Sequence, residues 1–281
     1  MNIMRLGAEA LDITKTYLTS SLESSKHEEL FKDLETYCMF LGYPRSGHSL
    51  VGSLLDAHPN MVIAHELDAL KYIQARFSDK QIYYLLSEKS RDFTENGRAW
   101  NGFLYQVPNQ WQGRFEKLKV IGDKKGGGST QRLRDNPDLL RRMRNTIKLK
   151  IKFVHITRNP YDNISTITLK TQQDNFNLTG GIEFYFSLCK TIAEIKKQIN
   201  SDDLFEAKHE SFIDDPQPVL KRLCNFLGVE ASDGYLNDCA SVVFKSPHQS
   251  RHDVTWTPEL IDRVKKRIDQ FDFLDGYTYE N

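Results

Sequence analysis

Residues 36–58, TYCMFLGYPRSGHSLVGSLLDAH, constrain the fold more than any other stretch of the 281-residue chain. Thr36–Tyr43 is apolar and aromatic at almost every position and is bounded by glycine and proline. It therefore reads as a buried central strand. After Gly47 the apolar residues recur at helical spacing, so the same stretch predicts a helix. Between the two lies a loop that runs G-x-x-x-x-G-x-S from Gly42, the spacing of a phosphate cradle in the strand–helix setting such a cradle needs. Lysine is absent from its usual slot. His48 stands there, and a positive charge appears instead at Arg45, inside the loop.

The remaining pattern alternates in type. MVIAHE (Met61–Glu66), KLKVIGDK (Lys117–Lys124), KIKFVHITR (Lys150–Arg158) and DLFEAKHESF read as strands. ALKYIQARF, QIYYLLSEKSRDF, NPDLLRRMRNTI, NPYDNISTITLK, Gly180–Ile199, DPQPVLKRLCNFLGV and TPELIDRVKKRIDQF read as helices, several with proline in the first turn. GGGST forms a glycine-rich loop after the lysine pair, and residues 97–115 show no clean period. The expected fold is α/β, a phosphate-loop-like central parallel sheet flanked by helices, with a partly helical lid. Residues 1–35 are expected as an N-terminal helical extension and 36–281 as one domain. Ligands of such sheets bind at the carboxyl ends of the strands. Tyr43, Glu66, Lys124 and Arg158 all fall at or just past a predicted strand end.

Lys+Arg and Asp+Glu both number 38, and this zero formal charge argues against a nucleic-acid binder. The four cysteines are scattered, without metal spacing, and suggest free thiols in a reducing compartment. No apolar run approaches the ~20 residues needed to cross a bilayer. The expectation is a soluble, cytoplasmic protein without a bound metal.

Two separate segments resemble the sulfotransferase family. GYPRSGHSLVGSLLDAHPNMVIAHE is similar to the first cofactor-binding segment of that family, and its arginine, LLDAHP and following glutamate look closest to the tyrosylprotein-sulfotransferase-like branch. HITRNPYDNISTI resembles the family's 3'-phosphate segment. The resemblance spans roughly residues 36–276 and implies binding of 3'-phosphoadenosine-5'-phosphosulfate (PAPS), released as the bisphosphate PAP, with no metal. It implies that Arg45, Ser46, Gly47, His48 and Ser49 hold the phosphosulfate. Arg158, with Thr166 or Ser165, would hold the 3'-phosphate. Lys124, or Lys125 as fallback, would reach the sulfuryl group. Ser246 and Arg251, with Lys245 beside them, are candidates in a closing basic loop. His209 replaces the tyrosine the family places near the adenine.

The reaction implied is in-line sulfuryl transfer to a hydroxyl or amine of a small-molecule acceptor, where positioning and charge stabilisation dominate. Glu66 is the candidate general base, with burial expected to raise its pKa. His48 and His65 are rival bases. The aromatics of residues 67–115 suit a sugar, a phenol or a lipid-like alcohol equally. Two other readings stand beside this one: a nucleoside-triphosphate kinase or hydrolase, for which Asp123 would be the metal-binding strand-end acid, and a nucleotide-binding protein of the same fold without turnover.

Overall fold

The computed structural model describes residues 3–171 and 176–281. Its elements, in chain order, are α1 (Ile3–Lys26), β1 (Thr36–Leu41), α2 (His48–Asp56), β2 (Met61–His65), α3 (Ala69–Gln74), α4 (Asp79–Glu95), β3 (Ala99–Trp100), β4 (Phe103–Leu104), β5 (Val120–Lys124), α5 (Gly127–Asp135), α6 (Asp138–Thr146), β6 (Lys150–Thr157), α7 (Pro160–Lys170), α8 (Leu178–Lys196), β7 (Leu204–Lys208), α9 (His209–Asp214), α10 (Pro216–Leu227), α11 (Asp233–Ser241) and α12 (Pro258–Ile268).

Five strands form one parallel sheet in the order β2-β5-β1-β6-β7. β1 is central, as its composition predicts, and all six of its residues are buried. Alternate side chains serve two cores. Tyr37, Met39 and Leu41 meet Leu70, Ile82, Leu86 and Met143 of the helices on one face. Cys38 and Phe40 meet Leu54, Leu55, Leu223 and Leu236 on the other. A parallel sheet covered on both faces explains why β1 shows no polar alternation. A third cluster joins α7, α8 and α12 around Tyr185, Phe186 and Trp256. Among the described residues no helix is long and apolar enough to cross a membrane.

Three segments depart from the sequence reading. DLFEAKHESF is not one strand: β6 ends at Thr157, which pairs with Lys208, so β7 has no neighbour beyond that point and the chain turns into α9. GGGST is not a loop but the start of α5. A Cβ at Gly127 would collide with Pro44, so glycine lets the helix start approach the 42–47 loop, and Thr130 Oγ1 accepts from Gly42 N at 3.0 Å. Within 97–115 a hairpin forms, with Trp100 opposite Phe103. Asn101 and Gly102 carry its turn at φ 52° and 84°. Asn-Gly is the pair that tolerates positive φ at both central positions of a two-residue turn.

The hairpin base rests on a buried ion pair. Arg98 Nη1 donates to Asp56 Oδ2 at 2.8 Å and Nε to the Tyr105 carbonyl at 3.1 Å. Asp56 also accepts from Ile63 N and Ser90 Oγ, each at 2.8 Å. Arg98→Ala leaves Asp56 buried without its cation. Urea unfolding is expected to show a loss of about 3–5 kcal/mol.

Candidate functional site

β1, β2, β5 and β6 end together, so Tyr43, Glu66, Lys124 and Arg158 converge on one edge of the sheet. They line a cavity of ≈ 1140 Å³, together with Arg45, Lys125, Thr166 and the rim of the β3–β4 hairpin. This is spacious for one small ligand.

The 42–47 loop is built on positive φ angles at Gly42 (146°), Arg45 (69°) and Gly47 (92°). Its carbonyls are tied from behind. Asn163 Nδ2 donates to Pro44 O at 2.6 Å, Arg158 Nη1 to Arg45 O at 3.1 Å, and Ser46 Oγ to Tyr43 O at 3.0 Å. Among the described residues no side chain caps the α2 N-terminus that follows, so its amides and dipole are available to an anion. With the Asn101 amide oxygen facing the loop, Arg45 Nη1 donates to it at 3.1 Å and Trp100 Nε1 at 2.6 Å.

His48 does not aim its ring outward. The ring is buried edge-on to Phe40, with Nδ1 3.2 Å from Ser46 Oγ. It fills the space that a Cβ at Gly42 or Gly126 would occupy. Burial pushes its pKa down to about 3, helped by the nearby His155 and Lys124, so the ring is neutral. His209 is packed against Gly47 in the same way and is held at about 3 by burial and Arg158. Among the described residues its buried Nδ1 has no hydrogen-bond partner. His65 stacks on Phe93 at 4.0 Å and is lowered to about 3 by burial and Lys124.

Lys124 is the centre of the charged cluster. Its Nζ donates to Glu66 Oε1 and to Ser49 Oγ, both at 2.9 Å. Lys125 Nζ reaches Glu66 Oε2 at 3.3 Å, so the sequence's two lysine alternatives act on one carboxylate. The expected upward pKa shift of Glu66 is reversed. Burial raises it, but the two lysines outweigh burial and hold the carboxyl below its ordinary value.

Glu66 sits in a strained turn, with φ 62° at Glu66 and 68° at Asp68. A non-glycine residue in this region persists only when its surroundings enforce it. Asp123 supplies that enforcement: Oδ1 accepts from Leu67 N at 3.1 Å and Oδ2 from Ala69 N at 2.8 Å. Arg132 clamps Asp68 through Nε at 2.6 Å and Nη2 at 2.5 Å. Sequence reading considered Asp123 only as a metal ligand, whereas its carboxylate is turned to this backbone.

At the end of β6, Arg158 Nη1 lies 3.4 Å from Thr166 Oγ1, and Nη2 donates to His248 O at 2.6 Å and Ser250 Oγ at 3.1 Å. Thr166 and Ser250 hydroxyls are 2.9 Å apart. Arg158 Nε is buried and unpartnered, and among the described residues Arg158 has no carboxylate in ion-pair reach. Asn159 caps α7 by accepting from Tyr161 N at 3.0 Å, and Pro160 occupies the first helical position. This capping fixes the helix phase. Thr166 faces the cavity, whereas Ser165 donates to Tyr161 O at 2.7 Å and accepts from Trp256 Nε1 at 3.0 Å, away from it. Ser246 lies on the cavity wall. Arg251 does not: it is buried against Asp162 and the Asn281 carbonyl. Ser250 takes the place beside Arg158 that the sequence reading offered to Arg251.

A model of the sulfotransferase family matches residues 39–233. The fold is similar to the sulfotransferase domain of the curacin biosynthetic pathway, at 16% identity over 85% of this chain and 98% of that one, with a TM-score of 0.55. It is also similar to the sulfotransferase STF1 from Mycobacterium tuberculosis H37Rv, at 11% identity over 88% and 80% of the chains, TM-score 0.50. A mouse sulfotransferase, SULT7A1, complexed with PAP, aligns at 13% identity over 84% of each chain, TM-score 0.44. No curated protein sequence matches the chain.

Burial raises the Asp123 pKa to about 6 from an ordinary 3.8. A raised carboxyl makes the native state hold its proton longer than the unfolded chain does, so its stabilising contribution is lost as pH rises from about 4 to about 6. Unfolding free energies of the wild type and Asp123→Asn, measured across that window, are expected to shift against the wild type with rising pH.

Proposed function

Because the chain belongs to the sulfotransferase family, we propose that it moves a sulfuryl group from PAPS to a hydroxyl of a small-molecule acceptor, with Glu66 as general base. The observation that carries this reading is the distribution of cations around one cavity. Arg45 and the α2 terminus stand at one place, Lys124 and Lys125 beside them, and Arg158 with two hydroxyls at another. One anionic group needs only the first. A donor with a separate 3'-phosphate uses Arg158 as well, and the unpartnered Arg158 Nε fits such a dianion.

When bound, PAPS supplies the activated sulfuryl group and leaves as PAP. The chain's own part is to position and to balance charge. Arg158, Thr166 and Ser250 would hold the 3'-phosphate. Arg45, Ser49 and the α2 amides would hold the phosphosulfate end. Ser165 and Arg251 support α7 and the 246–253 segment from behind. Lys124 bridges Glu66 and Ser49, so one ammonium serves both the base and the phosphate loop. As the lysines turn to anionic oxygens, Glu66 loses the charges that depress its pKa and recovers the upward pull of burial. The acceptor proton then passes to Glu66. The kinase reading loses its metal-binding acid, since Asp123 holds the 67–69 backbone.

Isothermal titration tests the site directly. PAP is expected to bind and ATP is not. Arg158→Ala should weaken PAP binding by roughly 100-fold, as expected for losing a buried charged contact. Glu66→Gln should retain PAP binding and lower turnover by about 10²–10⁴-fold. Full activity in Glu66→Gln would assign the proton transfer elsewhere. The pH profile of kcat/KM is a second check. With His48, His65 and His209 all near 3, these three rings contribute no inflection at about pH 6–7, where an ordinary histidine titrates, and a step near 6 would come from Asp123 behind the Glu66 turn.

A further inference from the structure

The cavity mouth leaves apolar surface in water. Among the described residues, the exposed large hydrophobic side chains lie on and just after α1 or around this mouth, apart from Leu104 of β4, which is outside the cavity lining. Trp100, Phe103, Leu169 and Phe244 line the opening and are between 40% and 52% exposed. They come from three unconnected segments: the β3–β4 hairpin, the last turn of α7 and the stretch after α11. Phe103 and Phe244 meet edge to face with ring centroids 5.7 Å apart, so the rim is apolar across two of its sides. Clustered exposed apolar surface of this kind marks a place where something else covers it.

The polar lining narrows what that can be. A polyhydroxylated acceptor needs carboxylates or amides to accept from its ring of hydroxyls. Of the lining carboxylates, Glu66 is bonded to Lys124 and Lys125, and Asp253 lies 2.8 Å from His248 Nε2. The Asn101 amide oxygen faces Arg45 and Trp100, and Gln131 is bonded through Nε2 to the Gly127 carbonyl at 3.2 Å, so its oxygen alone is left for a whole ring of hydroxyls. A compact phenol fits inside the cavity and leaves the rim wet. An acceptor that reaches Glu66 and also covers the rim must be elongated and apolar.

Resting on the sulfotransferase reading, we propose that the acceptor is a long-chain aliphatic alcohol, with its hydroxyl at Glu66 and its chain leaving between Phe103 and Phe244 on one side and Leu169 on the other. The alcohol oxygen bonds to sulfur, the bond from sulfur to the donor's phosphate oxygen breaks, and the alcohol proton goes to Glu66. The products are an alkyl sulfate and PAP, with no redox change.

The test is kcat/KM with PAPS for straight-chain alcohols from hexanol to tetradecanol, with the alkyl sulfate read by mass spectrometry, and with phenol and glucose as comparison acceptors. Each methylene that reaches the rim is expected to raise kcat/KM by roughly three- to fourfold until the chain passes the mouth. Phe103→Ser and Phe244→Ser are expected to flatten that slope. PAP titration on the same samples separates the two levels of the reading. Bound PAP with no dependence on chain length, or with glucose or phenol preferred, overturns the acceptor assignment alone. Absence of PAP binding overturns the site reading and the acceptor with it.

Discussion

The site depends on two backbone carbonyls being held facing inward. Asn163 binds the Pro44 carbonyl and Arg158 binds that of Arg45. In a trans peptide the carbonyl and the next amide point opposite ways. Fixing these oxygens toward β6 and α7 therefore turns the Arg45 and Ser46 amides to the other side. The strain at Arg45, φ 69°, is sustained by the same bonds. Arg158 thus has two duties. It braces the loop near one end of the proposed donor and presents its own charge near the other, so the two halves of the site share one side chain.

A second constraint is electrostatic. The cavity is lined by several cations, yet His48, His65 and His209 are neutral, because burial and the neighbouring cations both disfavour their charge. Glu66 is the reverse case, a carboxylate whose burial is outweighed by two lysines. Its turn is imposed by Asp123 and Arg132 rather than by local propensity. These are packing and charge effects that act across β2, β5 and α5.

Much of the fold and part of the site were legible in the sequence. The unalternating strand, the proline- and asparagine-capped helices and the residues at strand ends follow from local rules, and those rules place Glu66, Lys124 and Arg158 on one edge. The misses share a cause. GGGST looked like a loop because glycine is a poor helix former, but here the missing Cβ admits Pro44. The hairpin had a local signal, Asn101-Gly102, hidden in an aperiodic stretch. Ser250 and the role of Asp123 had none, because they depend on which face of an element another segment covers, whereas Thr166 already stood at the hydroxyl position eight residues after Arg158, in a helix phased by Asn159 and Pro160.

The buried ring of His48 has a consequence for how this loop can be altered over generations. Gly42 and Gly126 are the two walls of its slot, and neither can gain a side chain while the ring is there. Exchange of these three positions is therefore directional. A smaller residue must replace the histidine before either glycine can gain a side chain, and even then both positions keep a positive φ, 146° and 50°, that favours glycine. A lineage that carries the imidazole is locked into both glycines, and leaving that state begins with a hole beneath the loop.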